Sequence, residues 1–239
     1  MGYGIYMNLR VLIAVMRSEA WFQPSKGGSI MKYSFGIQRM AKFVYIEEIF
    51  NTAIQIYPNL KNMLRKVKLS PFWKSDGLTR YVWRYGKKVY LLPCTISINI
   101  QIFWSRNYDV SNLKGITWHE IGHVLSWLIC LQDHRFFINQ KGLLEYNWPI
   151  KEIEDEDLPE RIRDHFLDAF WERERKKYGH FQVVSLEQIL KPSPHNSSEL
   201  LAESFKYAFA GEGHIEEELF VLVKNIVDDF ISEFVRHKI

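Results

Sequence analysis

Cysteine is scarce in this 239-residue chain, which holds only Cys94 and Cys130. Two thiols cannot build the disulfide framework of a small secreted domain, so a reducing compartment is the expectation. Long apolar runs are also missing, since Lys, Arg or Asp interrupts each one before the roughly 18 residues that a bilayer span requires. A soluble cytoplasmic protein with no membrane partner is therefore expected. No internal repeat or low-complexity segment is present, and 47% hydrophobic with 25% charged residues excludes a disordered or fibrous chain.

The N-terminus makes a poor signal peptide. Its apolar patch, Val11 to Met16, is bracketed by Arg10 and Arg17 and lacks a clean small-residue cleavage site. Secretion by another route stays open. Pro24, Gly27 and Gly28 precede a second plausible start at Met31, so residues 1–30 are expected to be a loose extension of a single domain over 31–239. That length buries a sizeable core.

Charge is unevenly distributed. Residues 1–114 carry 17 Lys and Arg against 5 Asp and Glu, whereas residues 115–239 carry 14 against 23. A basic half suits nucleic acid, a membrane surface or an acidic partner, or it complements the acidic half of the same molecule.

Apolar spacing predicts helix over 36–67, interrupted at Pro58. Tyr81-Val82-Trp83 and Val89 to Leu92 flank Tyr85-Gly86-Lys87-Lys88 and predict a β-hairpin. Ile96 to Ile102 alternates apolar and polar with period two, the pattern of a half-buried strand. A helix is expected to open at Gly115 and run to about Leu131. Residues 145–177, acidic at the front and basic at the back, read as an exposed helical insertion. Helices over 197–210 and about 215–236 complete the chain, the first of them ended by Gly211 and Gly213.

His119-Glu120-Ile121-Gly122-His123 is an HExxH pattern. On a helix, Ile121, Val124, Leu125 and Leu128 form an apolar stripe, while His119 and His123 project side by side one turn apart. Two imidazoles at that spacing can share one tetrahedral Zn2+. Glu120 lies about 100° round the helix from His119, placed to act as general base without entering the coordination sphere. A catalytic site needs a third protein ligand and one open position. A third His six residues after the motif is excluded, because Ser126 and Ile129 stand where Gly and His would be required.

Glu199 and Glu203 sit four apart on one face of the later helix. One can ligate the ion while the other orients a ligating His. Asn196 to Glu199 also has capping-box spacing, which would use that carboxylate at the helix N-terminus instead. Asp133, His134 and Glu145 are the other candidate ligands. A closed structural zinc site fits poorly, since it would recruit cysteine or four protein ligands.

Together these residues resemble the gluzincin metallopeptidases, and within them the anthrax lethal factor-like and phage- or toxin-associated zincins. The resemblance covers about 95–210: the alternating strand, Gly115-Ile116-Thr117-Trp118 leading into HEIGH, and Glu199-Leu200-Leu201-Ala202-Glu203-Ser204-Phe205. HEIGH is also similar to the motif of bacterial peptidases that cleave phage-type repressors. The resemblance implies Glu199 as third ligand and Glu203 as the supporting carboxylate. It also implies a tyrosine seven residues before the ligand Glu to stabilise the oxyanion, where this chain has Pro192. His195, Tyr178 and Tyr207 are the candidates to replace it, with His195 assigned as a catalytic residue beside Glu120.

The expectation is an α+β, zincin-like fold, with a mixed β-sheet packed on the HExxH helix, further helices on both sides, and an edge strand near 96–103 bordering the cleft. The expected function is zinc-dependent hydrolysis of a peptide or protein substrate, with Zn2+ as cofactor. The alternative is an inactive zincin-like binding module whose basic half holds an acidic partner or nucleic acid.

Overall fold

The computed structural model describes residues 42, 45–58, 60–70, 75–80, 83–85, 88–90, 94–99, 102, 110–140, 144–147, 158–190, 196–211 and 216–235. The 1–30 extension lies outside these residues.

Helix α1 (45–56) buries Ile46, Ile49, Phe50 and Ala53, which recur at helical spacing on one face. It ends before Pro58, whose ring disfavours helical backbone in the preceding residue. After the single turn α2 (Leu60–Met63), the chain becomes strand β1 (Leu64–Ser70). This corrects the expected helix over 64–67. Lys66-Val67-Lys68-Leu69 alternates with period two, and partnership with a neighbouring strand decides the outcome.

Strands β2 (Gly77–Arg80) and β5 (Cys94–Asn99) complete a three-stranded mixed sheet of order β1-β5-β2. β5 runs parallel to β1 and antiparallel to β2. It is therefore the central strand, and the expectation of an edge strand at 96–103 is overturned. Nor is it half-buried, because Ile96 and Ile98 on one face and Ser97 and Asn99 on the other are all buried. Alternation of side chains reports the chemistry of two faces and says nothing about whether both edges are hydrogen-bonded. The described strand runs to Asn99; Ile102 is helical and its carbonyl accepts from Lys42 Nζ at 3.0 Å.

The expected hairpin forms. β3 (Trp83–Tyr85) and β4 (Lys88–Tyr90) pair antiparallel in the register Trp83↔Tyr90 and Tyr85↔Lys88. They join β6 (Phe136–Ile138) and β7 (Leu144–Tyr146) in a second, four-stranded sheet of order β3-β4-β7-β6, which the single expected sheet did not include.

Helix α3 (Val110–Ser126) carries the HExxH residues and continues as a 3-10 turn, Trp127–Gln132. It begins five residues before Gly115, which lies buried in its interior. A lone glycine inside a helix costs only about 1 kcal/mol relative to alanine. Burial of Leu113, Trp118, Ile121, Val124 and Leu125 exceeds that penalty several times over.

Against what the charge pattern suggests, helix α4 (Leu158–Tyr178) is not exposed on all sides. It buries Leu167, Phe170 and Trp171, and Arg163 lies over the Trp127 ring at 4.7 Å. Its last turn is basic, with Arg175, Lys176 and Lys177, as the charge pattern implied. The acidic run before it, 152–157, lies outside the described residues, and 144–146 belongs to the second sheet.

Helices α5 (His180–Leu190), α6 (Ser197–Ala210) and α7 (Glu217–Phe230), the last continued by a π-helical turn over Ile231–Val235, close the fold. Phe230 of α7 meets Phe170 of α4 at 5.5 Å and Phe205 of α6 at 6.1 Å, edge to face, so one aromatic cluster ties three helices together. The architecture is α+β. Among the described residues, no helix is long and apolar enough to cross a membrane.

Candidate metal centre

The site depends on how α6 is placed against α3. Asn196 caps α6, its side chain accepting from Ser198 N at 3.1 Å and Glu199 N at 3.2 Å. Gly211 ends the helix in the left-handed region at φ 66°, where glycine carries no Cβ penalty. Asn196 alone satisfies the capping requirement, so the Glu199 carboxylate is released for another role. From α4, Trp171 Nε1 donates to the Ser197 carbonyl at 3.1 Å, and Ser197 Oγ donates to Asp168. Both bonds hold the start of the helix that bears Glu199.

The imidazoles of His119 and His123 stand edge to face with their Nε2 atoms 3.1 Å apart. Glu199 completes a triangle, with Oε2 3.4 Å from His119 Nε2 and Oε1 3.3 Å from His123 Nε2. Three ligand atoms around a tetrahedral Zn2+, each at 2.0–2.1 Å, are separated by about 3.3–3.4 Å. The three observed edges match that face, so the residues present fit the ion. Among the described residues, these three form the group able to hold a metal.

His119 Nδ1 has no solvent contact and lies 2.9 Å from Glu203 Oε1 in a close but bent approach. Glu203 also meets Lys206 Nζ at 3.1 Å. A carboxylate at Nδ1 fixes the tautomer that leaves Nε2 available as a ligand. Burial alone would lower the His119 pKa, but Glu199, Glu203 and Glu120 outweigh it and raise it to about 9. Contact with the two imidazoles holds Glu199 well below the usual carboxylate range. Glu203 is also lowered: burial would raise it, and His119 and Lys206 prevail.

Glu120 is almost wholly buried and faces β2. Thr79 Oγ1 lies 2.5 Å from its Oε2 and 3.3 Å from its backbone carbonyl. Oε1 sits over Gly77, where a Cβ would overlap it. Burial raises the Glu120 pKa above the ordinary value, against the lowering pull of His123, His119 and the Thr79 hydroxyl. Sequence reasoning missed Gly77 and Thr79, because a strand of four residues carries almost no periodic signal.

The remaining candidates lie elsewhere. Asp133 is held by the Arg135 guanidinium at 2.8 Å, and His134 is exposed. Glu145 accepts from Asn139 Nδ2 at 2.5 Å. None of these three belongs to the metal-ligand group. Tyr178 donates to Asp229 Oδ2 at 2.6 Å, and Tyr207, one turn beyond Glu203, is half-buried. His195 lies outside the described residues.

No protein family matches this chain, and neither curated proteins nor solved structures contain a match.

Proposed function

We propose that this chain is a zincin-like, zinc-dependent endopeptidase of the gluzincin type. The observation that carries the reading is the triangle of His119 Nε2, His123 Nε2 and the Glu199 carboxylate, with a buried carboxylate, Glu120, next to it in sequence. His119, His123 and Glu199 would hold the ion, and Glu203 would orient His119. When bound, Zn2+ supplies Lewis acidity that polarises the scissile carbonyl and lowers the pKa of water.

Glu120 takes the proton from the attacking water and returns it to the leaving amine nitrogen. Its burial raises its proton affinity above that of an ordinary carboxylate, which suits a group that must accept and then release a proton. Thr79 holds one carboxylate oxygen and Gly77 leaves room for the other. Among the described residues, β2 pairs with β5 on one side and with no strand on the other. Its open edge passes beside Glu120 and can accept an extended peptide by strand addition.

The test is zinc content together with hydrolysis of an unstructured protein such as casein. The wild type should take up one Zn2+ per chain and cleave. Glu120→Gln should retain the metal and lose cleavage, and His119→Ala should lose both. A wild type that binds no zinc removes the reading, whereas one that binds zinc and a partner but never cleaves is the inactive binding module.

A further inference from the structure

Building on the zinc-peptidase reading, we propose that the substrate is an acidic polypeptide, laid along the edge of β2 that pairs with no described strand and held by the exposed Arg80 and the basic segment around it. From Lys61 to Lys88 the chain carries nine Lys or Arg and one acid, Asp76. That segment contains all of β1, β2 and β3, and Thr79 in its middle touches Glu120. Of that segment, β2 borders the candidate cleft through Gly77 and Thr79, and Arg80 is its exposed cation.

Register arranges it further. Arg80 pairs with Thr95, and Thr95 pairs with Lys66, so one row crosses the sheet from β1 to the open edge. Arg80 is exposed at that edge. Gly77 and Thr79 alternate with it and face α3. A strand added to β2 would direct every second side chain to the face of Arg80. Opposite charges in cross-strand positions attract and like charges repel, so acidic residues are favoured there.

Among the described residues, the acidic half meets cations of its own. Several of its acids are matched within that half: Glu233 by Arg173, Glu187 by Arg175 and Asp229 by Lys177. Nucleic acid would also suit a basic surface. The polypeptide is favoured because an open strand edge presents N–H and C=O groups spaced to match another peptide backbone.

The experiment uses the full-length, zinc-loaded Glu120→Gln chain as a non-cleaving trap. It measures binding of two extended peptides of about ten residues. They share the same apolar residues and carry Glu or Lys at alternate positions. At about 0.05 M salt the Glu peptide should bind at least about tenfold tighter, and about 0.5 M salt should erode that advantage. Arg80→Glu should cut the ratio at least about fivefold, with zinc stoichiometry as the check on folding. A ratio near one, a ratio unmoved by Arg80→Glu, or tighter binding of single-stranded DNA of matched charge overturns the proposal. If the wild type cleaves both peptides equally, the acidic preference falls and the peptidase reading stands. Charge-selective binding by a chain that takes up no zinc removes the peptidase reading and supports the acidic-partner surface.

Discussion

Gly122 packs so closely on Ala202 that a Cβ added to the glycine would lie 2.8 Å from the Ala202 Cα and 3.1 Å from the Phe205 Cβ. The first of those atoms is backbone and cannot swing aside. The middle of the HExxH motif is thus also a point of tight contact between α3 and α6. That approach sets the distance from the two imidazoles to Glu199, three residues before Ala202, and to Glu203, one after it.

Gly122→Ala should therefore destabilise the protein. Alanine gains about 1 kcal/mol of helix propensity. Overpacking against backbone costs about 1–3 kcal/mol, and with no flexible neighbour to yield, the upper part of that range applies. Denaturant titration should show a net loss of about 1–2 kcal/mol. Zinc titration should show weaker binding, because α6 carries Glu199 away from His119 and His123. Unchanged stability and affinity would mean that the two helices are not held at this distance.

Zinc should stabilise the fold. Free ion at about one hundred times its dissociation constant adds about 2.7 kcal/mol, or roughly 5–10 °C in Tm for a chain of this size. His119→Ala, His123→Ala and Glu199→Ala should each abolish the shift in a thermal melt. Glu203→Ala should keep it at higher metal concentration, with affinity reduced about 10–100-fold, because its carboxylate acts through His119.

Thr79→Val removes the hydroxyl that meets Glu120 Oε2 while keeping shape. A buried carboxylate that loses its donor costs about 1–3 kcal/mol. That loss should largely vanish in a Glu120→Leu background, where no charge awaits the hydroxyl. A double-mutant cycle by chemical denaturation measures the coupling. In the active chain, Thr79→Val should lower kcat about tenfold, and Thr79→Ser should restore most of it.

The pH dependence of stability should carry a contribution from Asp133. Hydrogen bonding to the Arg135 guanidinium and backbone N–H, opposed by partial burial, depresses its pKa in the folded state. A depressed carboxylate stabilises the fold above its unfolded value near 4, and the contribution disappears as pH falls through the lower folded value. Asp133→Asn should thus cost about 1 kcal/mol at pH 6. As pH falls below the ordinary carboxylate range, melts of the variant and the wild type should converge.

Some of these features are written in short stretches of chain. HExxH at 119–123 names two candidate ligands because four residues bring two side chains to one face of any helix. Asn196 and Gly211 bound α6, since caps act within three or four residues of the helix they end. The hairpin at 83–90 was legible for the same reason. Where local signals compete, the sequence misleads. Gly115 suggested a helix start, and 64–67 continued a helical spacing that the adjacent Lys-Val-Lys-Leu alternation overrode. The acidic and basic ends of 145–177 suggested solvent on all sides, yet Leu167, Phe170 and Trp171 share one buried face.

Residue order alone established that two histidines and a glutamate lie on one turn of helix, and that two more glutamates lie on one face of another. It left Glu199, Asp133, His134 and Glu145 as rival partners for the histidines, and it placed the alternating strand at the edge of the sheet. Tertiary packing brought Glu199 to the two imidazoles, by pressing Ala202 onto Gly122, and among the described residues it put β2 at the outer position of its sheet with Thr79 against Glu120. The physical reason is range. Helical periodicity and caps are satisfied by neighbours a few residues away, whereas the site is closed by contacts between segments some 40 and 80 residues apart, which depend on the fit of whole faces.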